Sequence, residues 1–291
     1  MLVLAAFAQT PSSSPAPAPP PVNDIFLIDV ANKSGQMTFG KPSKITEWHG
    51  YNNQPFFFPD GQSLLYTSIR EDKQADIYRY EIKRGQTSRV TETMESEYSP
   101  TVTPDGKFIS VVRVEADGTQ RLWKFGITGG KPSLVLEKIK PVGYQAWIDQ
   151  NTLALYILGA AGKPSTLQIV DVRTEKAEVI AENIGRPLRL MPHQNKLSFV
   201  HKISAAEWIV KSFDLQTRQI TTLIKTLLGS EDYAWTPAGV LLMGKDAKLF
   251  AWEPGKDTGW HEVADFSTAG LTGITRIAVS PKGNRIAIVA R

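Results

Sequence analysis

The chain has 291 residues, with 33 Lys and Arg against 29 Asp and Glu, a formal net charge of +4. The cations are scattered rather than clustered, which argues against a nucleic-acid face. There is no cysteine, so disulfides, a thiolate nucleophile, Cys-ligated zinc and a lipid anchor on Cys are all excluded.

Residues 1–9 open with the apolar run Met1-Leu2-Val3-Leu4-Ala5-Ala6-Phe7-Ala8 and end on small residues, like the end of a secretory signal peptide. A basic start is missing, so they read as the remnant of one. The run is far below the ~20 residues that span a bilayer, and no transmembrane segment is expected. Residues 10–22 are mostly Pro, Ser and Ala, an extended linker without a core. Leader and linker together predict a periplasmic or secreted protein.

Residues 23–291 read as one domain, because a single unit repeats through them. Its marker is a tight turn: Pro59-Asp60-Gly61, Pro104-Asp105-Gly106, Asp149-Gln150-Asn151, His193-Gln194-Asn195, Pro237-Ala238-Gly239 and Pro281-Lys282-Gly283. Successive last residues lie 45, 45, 44, 44 and 44 positions apart. They are always Gly or Asn, the residues that best tolerate positive φ. Four positions before each of them stands Phe57, Val102, Trp147, Met191, Trp235 or Val279, a large apolar residue on an inner strand. A second apolar strand follows each turn. A third and a short fourth follow in five units, for example Asp76–Ile82 and Ser88–Glu92 in the first. Four short strands at this period predict a propeller blade.

The sixth unit has only two strands, Ile274–Ser280 and Arg285–Ala290. Its missing pair matches the N-terminal stretches Asn23–Val30 and Ser43–Glu47. The predicted fold is therefore all-β: a six-bladed β-propeller of four-stranded antiparallel blades. N-terminal outer strands would close it by pairing with C-terminal inner strands, leaving no full-length sheet edge at the seam.

The order Pro59-Asp60-Gly61, Leu64-Leu65-Tyr66-Thr67-Ser68, Asp76-Ile77-Tyr78, Gly85 and Val90-Thr91 resembles the repeat of TolB-like propellers, the PD40 or WD40-like family. Val102-Thr103-Pro104-Asp105-Gly106 is a second copy. The resemblance runs from about Asn23 to the end. It implies a six-bladed propeller working in a cell-envelope complex. Propellers of this kind also occur beside serine peptidase domains and in sugar lyases, the latter with a metal held by several channel histidines.

No catalytic or metal-binding residue is assigned, and no cofactor is expected. There is no G-x-S-x-G elbow, and His49, His193, His201 and His261 fall at different places in the repeat. Asp60 and Asp105 read as turn residues that bond their own backbone. The candidate binding positions instead precede the inner strands and would line one mouth of the central channel. They are Asn53, Glu97, Tyr98, Tyr144, Arg186, Glu231, Asp232, Tyr233 and Arg276, with Asn52, Gln54 and Gln145 beside them. Tyr and Arg dominate binding hot spots. The expected function is that of a non-enzymatic protein- or peptide-binding module of the cell envelope, a monomer. Two alternatives are a channel-mouth hydrolase or lyase acting on a peptide or glycan, and a cell-wall glycan binder stacking sugars on Tyr98, Tyr144 and Tyr233. A cation held by Glu97, Glu231 and Asp232 is a weaker reading.

Overall fold

The computed structural model describes residues 19–33 and 36–291. The leader, and all of the linker before Pro19, lie outside the described residues. The rest forms six antiparallel sheets in a ring. Blade 1 comprises Tyr51–Phe57, Ser63–Ile69, Ala75–Glu81 and Gln86–Arg89, from the channel outward. Blade 2 begins with Ser96–Val102, blade 3 with Val142–Trp147, blade 4 with Ile184–Leu190 and blade 5 with Tyr233–Trp235. Blade 6 takes Arg276–Val279 and Arg285–Ala290 from the end of the chain, and Asp24–Lys33 from its beginning. The two ends meet in an unbroken antiparallel ladder from Asp24↔Ala290 to Asp29↔Arg285.

The second strand of each blade is apolar on both faces, because a propeller sheet is covered on both sides. Leu64 and Tyr66 face blade 6, whereas Leu65 faces blade 2. Val111 faces blade 1 and Val112 blade 3. Leu241 and Leu242 divide in the same way between blades 4 and 6. Each pair of neighbouring blades thus shares one buried cluster, and fully burying one such side chain is worth about 1.5–3 kcal/mol. In the turns, Gly61 and Gly106 have φ of 68° and 70°, which Gly adopts without strain. The Asp60 carboxylate accepts from Gln62 N at 2.8 Å, and that of Asp105 from Lys107 N at 3.1 Å.

The outer edge of blade 6 differs from the sequence expectation. One outer strand over Ser43–Glu47 was predicted, but two short ones, Gln36–Phe39 and Ser43–Lys44, pair with successive parts of Asp24–Lys33. The cause is length. Asp24–Lys33 runs past the end of its inner partner at Arg285, and the overhang Val30–Lys33 forms its own ladder with Gln36–Phe39. Gly40-Lys41-Pro42 then interrupts the edge, consistent with a proline that has no N–H to give.

The Asp-Ile of the third strand and the Thr two residues after the outermost strand form a latch. In blade 1 the Thr91 hydroxyl accepts from Ile77 N at 2.9 Å and donates to Asp76 Oδ1 at 3.3 Å, while Arg89 holds Oδ2 at 2.6 Å. Blade 6 repeats it with Thr46, Ile25, Asp24 and Lys44 at 3.2, 2.7 and 2.8 Å. Removing the hydroxyl strands a buried N–H, so Thr91→Val should lower unfolding stability in urea by about 1–3 kcal/mol. Thr46→Val should lower it less, because the Asp24 side chain is 18% exposed and that of Asp76 only 1%. No loss at either site would show that the latch is not stabilising, and equal losses would show that burial of the Asp does not set its strength.

Candidate functional site

The inner strands of blades 1 to 4 are interrupted by bulges near their starts, between Asn53 and Phe56, Tyr98 and Thr101, Val142 and Tyr144, and Ile184 and Leu188. Gln54 and Ser99, at matching bulges, have φ of 57° and 53°. Bulges re-aim side chains, and here they accompany a change from blade packing to contacts across the channel. Arg276 of blade 6 reaches Tyr144 of blade 3 on the opposite wall, donating from Nη2 to its hydroxyl at 3.0 Å. The Arg276 guanidinium also lies 5.1 Å from the Tyr144 ring centroid, and Tyr156 packs edge-on against that ring at 5.6 Å.

Asp232 bridges Arg276 at 3.4 Å and Arg189 at 3.8 Å, and accepts from Ile277 N at 3.3 Å. Glu231 binds Arg186 Nε at 3.0 Å and Lys202 at 3.2 Å, and accepts from Arg186 N at 2.6 Å. Burial alone would raise the Glu231 carboxyl, but Arg186 and Lys202 outweigh it and hold it below the usual range. Burial likewise opposes ionisation of Tyr144, yet Arg276 and Arg186 draw its phenol below 10.0. Tyr51, in the same cluster, is pushed up to about 12 by burial.

Of the predicted positions, Tyr144, Arg186, Glu231, Asp232 and Arg276 come together at this end of the channel. Tyr98 is half-buried and packs against the cluster between blades 2 and 3. Asn53 is buried, and its Oδ1 accepts from Gln54 N at 2.8 Å, bracing the bulge. Tyr233 does not reach the mouth. It is fully buried between blades 4 and 5, with its hydroxyl on Ser198 Oγ at 2.9 Å. It occupies the place that Gln145 takes in blade 3, where the amide accepts from Ser110 at 2.8 Å. Trp147 and Trp235 bond the same two serines, each at 2.8 Å. With Tyr233 in the core and Tyr144 engaged by Arg276, no exposed row of three tyrosines faces solvent.

Glu97 is buried toward blade 1. Thr93 donates to its Oε1 at 2.6 Å, Arg113 stands 3.5 Å away, and Oε2 has no partner among the described residues. Glu97 and the Glu231–Asp232 pair sit in separate ion-pair networks. Among the described residues no three His, Cys, Asp or Glu side chains are grouped to hold a metal. No histidine lines the channel cavities described below; His193 bonds Pro237 O at 3.0 Å in a turn, and His261 lies 3.5 Å from Asp257 on an outer edge. The sequence reading missed Tyr51, Arg189 and Lys202. Arg186 and Arg189, three apart across a bulge, were a signal for the second of these.

The family profile described as the TolB beta propeller domain matches residues 21–186, more than half of the chain. The chain belongs to the TolB β-propeller family. A putative TolB from Agrobacterium tumefaciens is similar in structure, with a TM-score of 0.70 at 16% identity, covering 92% of this chain and 98% of that one. TolB from Acinetobacter baumannii gives 0.61 at 13%, covering 92% and 64%. An oligogalacturonate lyase in complex with manganese gives 0.59 at 14%, covering 86% and 79%. At these identities the likeness shows the fold alone. No curated protein matched the sequence. No helix among the described residues is long and apolar enough to cross a membrane.

Burial pushes the Glu97 carboxyl up to about 7, against the lowering effects of Thr93 and Arg113. The native state therefore holds this proton more tightly than the unfolded chain. Its stabilising contribution is full below about 4.5 and is lost as pH rises to about 7. Glu97→Gln should match the parent in thermal stability at pH 5 and exceed it at pH 8, by up to about 3 kcal/mol. A difference independent of pH would mean that Glu97 ionises normally.

Proposed function

We propose that the protein is an exported, non-enzymatic propeller that binds a protein or peptide of the cell envelope at its channel. The observation that carries this reading is the state of the channel's acids. Glu231 and Asp232 are each shared by two cations. The Glu231 carboxylate, held ionised in this way, is a poor general acid, because general acids need values raised toward the working pH. The same ion pairs, flanked by Tyr51, Tyr98 and Tyr144, have the composition of a recognition surface. Membership of the TolB propeller family and the leader-like start of the sequence support the envelope location.

The test is capture from a periplasmic extract by the immobilised protein, set against Arg186→Ala/Lys202→Ala, which removes both partners of Glu231. The parent should retain a defined partner, and the variant, shown by circular dichroism to be folded at the assay temperature, should lose it. Turnover of a peptide or glycan that disappears with Glu231→Gln would overturn the reading in favour of an enzyme.

A further inference from the structure

Beyond the Tyr144–Arg276 contact the channel narrows to a chamber of about 60 Å³, lined by Arg186, Arg189, Arg276 and Tyr144 and by no carboxylate. The acids bordering it are already shared: four cations, with Lys202, face Glu231 and Asp232, leaving two positive charges uncompensated. Ser99 lines the same chamber, is buried, and its hydroxyl has no hydrogen-bond partner among the described residues. The Tyr144 hydroxyl accepts from Arg276, so its own proton is left to donate. Excess charge and unspent donors converging on a small space specify an anion of carboxylate size.

The chamber does not stand alone. Pro55, Phe56, Arg189 and Ile277 also line a second cavity of about 450 Å³ at the opposite end, where the inner strands run into their turns. Its walls include Phe57, Pro192, Trp235, Pro237 and Pro281, and Leu190, which is 42% exposed. The repeat explains part of this: Pro59, Pro237 and Pro281 each open a P-x-G turn, and Pro192 stands just before the turn of blade 4.

We propose that this channel takes the C-terminus of a peptide, with the terminal carboxylate in the arginine chamber and the last apolar side chains in the proline- and aromatic-walled vestibule. The inference rests on the peptide-binding reading and adds that the ligand enters from the turn face. An anionic glycan would supply the charge, but its hydroxyls would lie unpaired against Pro, Phe and Trp. A peptide end combines one anion with apolar side chains.

The experiment titrates the full chain, by tryptophan fluorescence and calorimetry, with a pool of random hexapeptides apolar at their last three positions. The pool is used with free carboxyl ends and again amidated, beside sodium acetate and a trigalacturonate. The free-acid pool should bind about tenfold or more tightly than the amidated pool, as loss of a charge-assisted pair predicts. Acetate should compete only weakly. Arg189→Gln should abolish the acid–amide difference and Leu190→Glu should weaken both pools, each with the parent's melting temperature. Equal binding of the two pools, no binding of either, or preferred binding of trigalacturonate would overturn the proposal. If the pools fail while Arg186-dependent capture of a periplasmic protein persists, the terminal-carboxylate assignment falls and the binding function stands.

Discussion

The ladder between Asp24–Asp29 and Arg285–Ala290 is the constraint on which the rest of the molecule depends. Without it Asp24–Asp29 and Arg285–Ala290 would be unpaired strand edges, and blades 1 and 5 would lose the cover of an intact blade 6 on their apolar faces, the arrangement that invites aggregation. With it, Ile288 packs toward blade 5 while Ala287 and Val289 pack toward blade 1, and the last two inter-blade clusters are completed. Closure also fixes the width of the channel. Arg276 lies two strands from the seam and reaches Tyr144 across the ring, 132 residues away in sequence. The candidate site is therefore a property of the ring and of no single blade.

Around that ring, apolar packing and polar latches divide the work. The clusters between blades supply most of the burial, but they are similar in kind and do not by themselves set the exact stagger of one blade on the next. The polar contacts near the channel are specific. Gln54 accepts from Ser99 N, Gln145 donates to Ser99 O, and Asp232 accepts from Ile277 N, each crossing to a neighbouring blade. Because these groups are buried, a shifted register would leave them unpaired at a cost of about 1–3 kcal/mol each. The side chains that fix the stagger therefore lie beside those that line the channel.

Much of the fold was legible in the sequence because the repeat is enforced by backbone geometry. A turn that holds its last residue at positive φ where that residue is Gly, in four of the six units, and strands apolar on both faces leave marks at regular intervals; Asn151 and Asn195, expected to share that conformation, do not adopt it. The split outer edge of blade 6 was not legible, since it depends on how far Asp24–Lys33 outruns its partner. The site was legible only by offset. Counting from the turn places Tyr144 and Tyr233 near the same mouth, yet they stand one position apart in the repeat, so their side chains take opposite faces of their inner strands. One tyrosine meets Arg276 and the other Ser198. Lys202 was missed because it closes the second strand of its blade, reaching Glu231 from the side. The turn-face vestibule was overlooked because its prolines had already been explained as turn formers.

Hydrogen exchange resolved along the chain tests ring closure most directly. The account predicts that the amides of Ile25–Ile28 and Ile286–Val289 exchange as slowly as those of Leu64–Tyr66 in blade 1, and that both sets are released together on unfolding. Seam amides that exchange early while the blade 1 strand stays protected would contradict it, because the ring would then open without unfolding.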